Sequence, residues 1–231
     1  MVRSSNLYSV MESGDHFKNG ASLKNQMSRR NLLTLLLLIT LTVNSYGQST
    51  DFDEGVVING VKWATRNVAT PGNFVAKPED PGMFYQWSIK KAWPATGTIT
   101  AWPQNHNVAN KQFWENADDP SPNGWGVPTY NEFQKLLDKS KVSNEWTTQN
   151  GKKGRKFTDK VTGNSIFLPA NGERSDNDNG KLKKEDKLGY YWSWGVRNDH
   201  VYNLAFDQYF ISFTYGNTSI HNALNVRSVA R

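Results

Sequence analysis

The stretch Val56-Val57-Ile58-Asn59-Gly60-Val61-Lys62-Trp63 decides how the folded part of the chain begins. Two β-branched runs flank an Asn-Gly pair, and Asn-Gly between such runs is the strongest short-range signal for a β-hairpin. Similar short runs recur along the chain, and turn pairs stand between them at Asn150-Gly151, Gly163-Asn164, Asn179-Gly180 and Gly216-Asn217. We therefore predict further strands at residues 155–157, 165–168, 190–192, 201–206, 210–214 and 225–229.

One helix has a clear start signal. Thr129-Tyr130-Asn131-Glu132 fits a capping box, in which the Thr hydroxyl and the Glu carboxylate satisfy first-turn amides, and Pro128 precedes it. Phe133, Leu136 and Leu137 then fall on one helical face, so we predict a helix over residues 129–139. We also predict a short helix at residues 83–90, with its aromatic side chains packed inward. The resulting fold class is α+β, with short antiparallel strands, one or two helices and long loops.

Residues 91–122 show neither strand nor helix periodicity, and three tryptophans lie among Gly, Pro and Asn in this segment. A long aromatic-rich loop is either an irregular extension of the core or a binding surface. We favour the core for these tryptophans, because large aromatic side chains are usually highly buried.

Composition excludes several classes of function. The 231 residues include nine Trp, nine Tyr and eleven Phe, too many aromatics for a disordered chain. The absence of cysteine excludes a disulfide scaffold, a cysteine nucleophile and a thiolate zinc site. The net charge is +6, but the first 47 residues hold five Lys and Arg against two Asp and Glu, which is half of that excess. We therefore expect no nucleic-acid partner.

The amino-terminal region has the pattern of an export signal. Met27-Ser28-Arg29-Arg30-Asn31 precedes an apolar run over residues 32–43, and small residues follow before a cleavage site expected between Gly47 and Gln48. Twelve apolar residues span roughly 18 Å as a helix, less than the ~30 Å bilayer core, so we expect no stable membrane span after signal removal. The final location would be the periplasm, the outer cell surface or the extracellular medium.

These patterns divide the chain into four parts. Residues 1–26 are polar and without periodicity, and we interpret them as a disordered extension from a start codon assigned too early, a long signal n-region being the alternative. Residues 27–47 form the predicted signal peptide, 48–55 a short linker, and 56–231 a single domain.

The sequence lacks the patterns of known catalytic and metal sites. His106, His200 and His221 share no helical spacing, and no Walker loop, G-x-S-x-G or G-x-G-x-x-G motif occurs. The cluster of Glu173, Asp176, Asp178, Glu185 and Asp186 does not fit a calcium-binding EF-hand loop, although an irregular calcium site at Asp176 and Asp178 stays open. We favour a solvated hairpin tip there. The sequence indicates no pair of catalytic carboxylates among Glu54, Glu79 and Glu115. We therefore expect the protein to have no enzymatic activity and to bind no cofactor.

Six landmarks occur in fixed order between residues 56 and 231. They are residues 58–68 (INGVKWATRNV), 82–87 (GMFYQW), 121–129 (SPNGWGVPT), 167–170 (FLPA), 189–193 (GYYWS) and 226–229 (VRSV). Together they resemble the "Fibrobacter succinogenes major paralogous domain" family of secreted Bacteroidetes proteins. The resemblance implies a C-type-lectin-like fold, in which the two ends of the domain pair as strands and long loops decorate one side.

The chain departs from this family at several positions. Many relatives have Cys at Ser121 and some at Ser228, so here no bridge can form and packing must hold that corner. Where relatives read Tyr-Trp-Ser-Ser, this chain has Trp194, and Asn171-Gly172-Glu173-Arg174 replaces their Ala-Gly-Tyr-Arg. Formylglycine-generating enzymes share the general fold, but their chemistry uses cysteines that this chain lacks.

The carboxyl-terminal stretch from Tyr191 to Arg231 also resembles the variable region of C-type-lectin proteins that are diversified by retroelements. Asparagines punctuate it at Asn198, Asn203, Asn217, Asn222 and Asn225. The alternative, ordinary asparagines in turns, is the one that we favour.

Taken together, the sequence predicts a monomeric, non-enzymatic binding module that recognises a glycan or a surface protein through its loop face. Planar aromatics would supply apolar area, and Asn, Asp and Arg would supply oriented hydrogen bonds. The candidate residues are Arg197, Asn198, Asp199, His200, Tyr202, Tyr209, Asn217 and His221, with Trp102 and Trp114 as further members.

Three alternatives stay open at this level. Tyr202 alternates with Leu204 and Phe206, so its ring could face the core while Asn203 and Asp207 face water. The protein could instead be a structural or fimbria-associated subunit of the envelope, which would present a strand edge or an apolar patch. It could also be a hydrolase whose site is assembled from scattered carboxylates, and a buried Asp or Glu pair in a cleft would favour that alternative.

Overall fold

A computed structural model describes residues 50–103, 111–197, 200–215 and 218–231, with the backbone alone at Arg197, His200, Thr214 and Tyr215. Within these ranges the chain forms short antiparallel sheets and a single α-helix, α1 (Tyr130–Leu136), an α+β arrangement with little helix. In chain order the strands are β1 (Val56–Ile58), β2 (Val61–Trp63), β3 (Phe84–Gln86), β4 (Ala92–Trp93), β5 (Trp125–Gly126), β6 (Val142–Gln149), β7 (Lys152–Asp159), β8 (Ser165–Pro169), β9 (Glu173–Ser175), β10 (Lys181–Lys183), β11 (Gly189–Arg197), β12 (His200–Phe206), β13 (Ile211–Tyr215), β14 (Ala223–Leu224) and β15 (Val229–Ala230).

The predicted hairpin at Asn59-Gly60 is confirmed. Both residues have positive φ, 45° and 73°, as a two-residue type I′ turn requires. β1 and β2 pair antiparallel with Val56 opposite Trp63, and β15 pairs with β2 so that Val229 also lies opposite Trp63. The two ends of the domain therefore share one sheet, whose strand order is β1-β2-β15-β5.

The remaining strands form three further sheets of order β10-β9-β14-β3-β4, β11-β12-β13 and β6-β7-β8. The predicted turn Asn150-Gly151 joins β6 to β7, again with both residues at positive φ. Gly163-Asn164 lies between β7 and β8, and Asn179-Gly180 precedes β10. Gly216-Asn217 lies outside the described residues.

The capping box of α1 is also present. The Thr129 hydroxyl accepts the Glu132 N–H at 3.3 Å, and the Glu132 carboxylate accepts the Thr129 N–H at 2.7 Å. Phe133 and Leu136 are buried, as predicted. The helix ends at Leu136, earlier than expected, because the Asp138 carboxylate accepts the Ser140 N–H at 2.9 Å and starts a turn there.

Three element predictions were wrong in detail. Residues 83–90 contain strand β3 instead of a helix, because Phe84 and Tyr85 are buried in the interior of a five-stranded sheet. β6 was not predicted, because polar and apolar residues alternate only weakly along it. Its pairing with β7 over its whole length stabilises it instead. The strand predicted at 225–229 is interrupted: Asn225 lies outside β14 and β15, and its side-chain amide donates to the carbonyls of Pro81 and Met83.

Strand β12 lies between two parts of the core. Leu204 and Phe206 pack on one side with the cluster around Trp63 and Phe133, while Ala205 packs on the other with the cluster around Trp192. The prediction that Asn203 faces water is therefore wrong. Its side chain is only 1% exposed, because both faces of β12 are covered.

Polar contacts as well as packing stabilise the corner where the two ends of the domain meet. The hydroxyls of Ser121 and Ser228 lie 2.7 Å apart in a hydrogen bond. The buried Arg227 guanidinium donates to Asn67 Oδ1 at 2.9 Å, and to the carbonyls of Ala64 and Phe167. Across the described part of the chain, no helix is long and apolar enough to cross a membrane.

Candidate functional site

Those of the predicted ligand residues that the structure describes do not form one face. Arg197 ends β11 and His200 begins β12, and the two residues are paired opposite each other. Tyr209 follows the other end of β12, a seven-residue strand that spans roughly 20 Å. Asn198, Asp199 and Asn217, like His106, lie outside the described residues. The candidates therefore divide between two ends of one sheet.

Three of the predicted aromatic residues are core residues. Trp114 is fully buried, and Trp102 and Tyr202 are each 8% exposed. The Trp102 indole N–H donates to Asp176 Oδ1 at 2.9 Å, and the Tyr202 ring packs edge-on against Tyr130 at 5.0 Å. Burial removes these three side chains from the candidate ligand face, in agreement with the core interpretation of the tryptophans.

His221 is half-buried, and its backbone forms two hydrogen bonds. Its N–H donates to the Ser219 hydroxyl at 3.1 Å, and its carbonyl accepts the Gln86 side-chain amide at 2.8 Å. Tyr209, by contrast, is 86% exposed, on a turn in which the Asp207 carboxylate accepts its N–H.

A different group of aromatic residues lines an open pocket, which we call the aromatic pocket. Its volume is about 430 Å³. The rings of Phe113 and Trp194 stack in it with centroids 4.9 Å apart and planes within 7° of parallel, and Phe113 is 46% exposed. The lining residues are Gln112, Phe113, Thr129, Tyr130, Asn131, Trp194, Gly195 and Val196.

An irregularity in β11 creates this pocket. The register with β12 shifts between Trp192 and Val196, and a β-bulge of this kind turns the following side chain in a new direction. Backbone bonds fix the bulged segment: the Trp194 N–H donates to Pro128 O at 2.7 Å, and the Trp194 carbonyl accepts the Trp114 N–H at 2.8 Å. The position of the Trp194 indole is thus set by its backbone.

A second pocket, the polar pocket, also has Trp194 in its lining and lies along the chain segment that precedes α1. Its volume is about 370 Å³. The Asp119 carboxylate in its wall accepts the N–H groups of Ser121 at 2.8 Å and Val127 at 3.0 Å. The lining residues are Lys90, Asn116, Asp119, Ser121, Pro122, Asn123, Gly124, Trp125, Gly126, Trp194 and Arg231.

The carboxylates considered for calcium already have partners. Asp176 accepts the Trp102 indole N–H, and Asp178 forms an ion pair with Lys183. Glu173 was expected at a solvated tip but is buried, because it accepts from Lys184 and from the Asn222 amide. Among the described residues, no group of three or more His, Asp or Glu side chains is arranged to hold a metal ion.

Buried carboxylates elsewhere serve the fold. Burial alone would raise the pKa of Asp53, but hydrogen bonds from the Thr65 and Gly55 N–H groups and from Arg66 outweigh it and hold that pKa below its usual value. The pKa of Glu79 is lowered in the same way: the Asn150 and Gln149 amides offset its burial. Neither the aromatic nor the polar pocket is lined by two carboxylates, the pair that most glycoside hydrolases use.

Sequence reasoning missed Phe113 and Tyr130 as site residues. Trp194 could have been noticed in the sequence, because the family that the chain resembles has Ser at this position. A β-bulge has no reliable sequence pattern, so nothing in the sequence indicated that this Trp would meet Phe113 from a distant loop. No family model, curated protein or solved structure matches the chain. The two pockets must therefore be interpreted from their own chemistry.

Proposed function

We propose that this protein is an exported, non-enzymatic binding module with a C-type-lectin-like fold, related to the Fibrobacter succinogenes major paralogous domain family. Six sequence landmarks in fixed order support the relationship. The pairing of β15 with β2, which joins the two ends of the domain, supports the fold. The described residues between β4 and β5, 94–103 and 111–124, belong to no helix or named strand, which agrees with the loop decoration that the resemblance implies.

The ligand that we propose is a glycan, bound at the cleft formed by the aromatic and polar pockets. One observation carries this proposal: the half-exposed Phe113 ring is stacked on Trp194, and Trp194 borders both pockets. A sugar ring has apolar C–H faces and polar hydroxyl edges. Aromatic faces with side-chain amides beside them, as at Gln112 and Asn131, match that amphipathic surface.

The test is binding of the purified protein to an array of host and plant glycans, with Trp194→Ser as the site variant. Serine is the residue of the resembling family at this position, so the variant should fold. Tyr209→Ala is the matched control, because it removes a more exposed aromatic ring at the far end of β12. We expect selective binding that Trp194→Ser abolishes and Tyr209→Ala retains.

Two further arms of the array distinguish the alternatives. Binding in the presence of a chelator is expected to equal binding with calcium, since Asp176 and Asp178 are engaged by Trp102 and Lys183. Calcium-dependent binding would contradict the site that we propose. No binding by a folded sample would contradict the glycan function itself.

A second function, docking against another envelope protein, is supported by the β12–β13 turn. Tyr209 and Phe210 are exposed there, and the Asp207 carboxylate accepts both of their N–H groups. The Arg155 guanidinium donates to the carbonyls of Asp207 and Phe210 from the neighbouring sheet. Such a fixed aromatic pair suits a protein surface. Loss of cell-envelope association on Tyr209→Ala, with glycan binding unchanged, would be the result expected of this function.

A further inference from the structure

The aromatic and polar pockets share more than Trp194. The chain segment 121–131 borders both: residues 121–126 line the polar pocket, and Thr129, Tyr130 and Asn131 line the aromatic pocket. Between these two groups, the Pro128 carbonyl accepts the Trp194 N–H at 2.7 Å. One continuous segment, which we call the wall, therefore borders both pockets. Trp194 bonds to it at Pro128, between the residues that line the two pockets.

Both ends of that wall are rigid. The capping box fixes the start of α1 beside the aromatic pocket. Beside the polar pocket, Asp119 holds the N–H groups of Ser121 and Val127. A preformed site loses little conformational entropy when a ligand binds, so binding energy from the two pockets can combine on one molecule.

The two pockets differ in chemistry in a way that suits successive units of one chain. The aromatic pocket offers the rings of Phe113, Tyr130 and Trp194, while the polar pocket offers amides and hydroxyls such as Asn116 and Asn123. Both are open clefts and not enclosed cavities. An open cleft lets a polymer continue past each end, whereas recognition of a chain end needs a closed pocket.

The charges of the polar pocket are nearly balanced. Arg231 forms an ion pair with Glu132 at 2.8 Å. The cationic Lys90 and the anionic Asp119 then remain as one charge of each sign in the lining. A uniformly acidic glycan would gain no net electrostatic attraction at such a site, and a neutral glycan would meet no electrostatic repulsion there.

We infer that the cleft binds a neutral, linear oligosaccharide along its length, with at least three consecutive sugar units, one in each pocket and one against Trp194. This inference rests on the proposed glycan function and specifies its ligand class. An aromatic contact contributes about 0.5–1.5 kcal/mol, so affinity should rise about two- to twelvefold with each unit that gains such a contact.

The experiment is calorimetric titration of the purified protein with cello-, manno- and xylo-oligosaccharides of one to six units. In the series that binds, affinity is expected to rise up to three or four units and then level off. Equal affinity for a disaccharide and a tetrasaccharide would overturn the inference while leaving glycan binding intact. Absence of binding in every series, together with an empty glycan array, would overturn the proposed function as well.

Two surface variants test each pocket separately. Asn123→Ala changes the polar pocket and Asn131→Ala the aromatic pocket, and both side chains are exposed, so melting temperatures should stay unchanged. We expect Asn123→Ala to weaken the tetrasaccharide about threefold or more and to leave the disaccharide unaffected, while Asn131→Ala weakens both. Tighter binding of oligogalacturonate than of any neutral series would contradict the neutral ligand class.

Discussion

Two regions of this molecule contain similar residues and use them differently. In the terminal corner, defined by Trp63, Arg227, Ser228 and Val229, every side chain is buried, and Arg227 and Ser228 bond to groups of the chain itself. In the cleft formed by the aromatic and polar pockets, rings and amides are left partly exposed. The corner thus uses its side chains for packing and internal hydrogen bonds, whereas the cleft leaves part of its aromatic and amide surface exposed, where we propose that a ligand binds.

The largest expected effect is in the terminal corner. Trp63→Ala removes a fully buried indole that packs on Phe133 at 5.4 Å, and it should lower the free energy of unfolding by about 3–5 kcal/mol. Lys62→Ala, at the exposed neighbouring position, should change it by less than about 0.5 kcal/mol. Urea denaturation measures both. Equal effects of the two variants would contradict the assignment of this corner to the core.

The next effect tests how closely Ser121 and Ser228 approach. Their hydroxyl oxygens are 2.7 Å apart and 107 positions apart in sequence, so Ser121→Cys with Ser228→Cys should oxidise to a disulfide. Closing so long a loop should stabilise the protein by about 2–4 kcal/mol, seen as a higher melting temperature that reductant reverses. The single variant Ser228→Cys is the control. A double variant that stays reduced would show that this corner is wider than described.

The terminal corner was largely predictable from the sequence. Asn59-Gly60 specifies its turn through the positive φ that both positions need, and the capping box at Thr129 specifies the helix that packs behind it. These are local signals, which act within a few residues. The α+β fold class followed from signals of this local kind.

The cleft was not predictable, because its residues come together through long-range pairing. Phe113 lies beside Trp194 only because the backbone around it bonds to the bulged part of β11. Burial of Asn203 and Asn225 was missed for the same reason: their environments are made by strands far away in sequence. Exposed asparagines would suit a diversified surface, but Asn203, Asn222 and Asn225 are buried.

A smaller effect is expected on the stability of the fold at low pH. Because the pKa of Asp53 is below its usual 3.8, its contribution to stability is present in full above about pH 4 and is lost as pH falls through the lowered pKa. Asp53→Asn should therefore cost about 2 kcal/mol at neutral pH and flatten the decline of stability in acid. Unfolding measured from pH 7 to pH 2 gives both quantities. A variant with an unchanged acid profile would refute this role.

The smallest effects on stability are expected at two aromatic residues outside the buried core, the partly buried Trp194 and the exposed Tyr209. Trp194→Ser removes one stacked ring and should cost about 1 kcal/mol. Tyr209→Ala, at a highly exposed position, should cost less than about 0.5 kcal/mol. Thermal unfolding of both variants checks this order. A collapse of the fold in Trp194→Ser would move Trp194 from the cleft to the core.

The most direct test of the account follows the tryptophan indole N–H signals by NMR while tetrasaccharides of the cello, manno and xylo series are added. The Trp194 signal is assigned by its loss in Trp194→Ser, and that of Trp63 by its loss in Trp63→Phe. We expect the Trp194 signal to shift with a binding tetrasaccharide and the Trp63 signal to stay in place. A tetrasaccharide that binds without moving the Trp194 signal would contradict the cleft as the binding site.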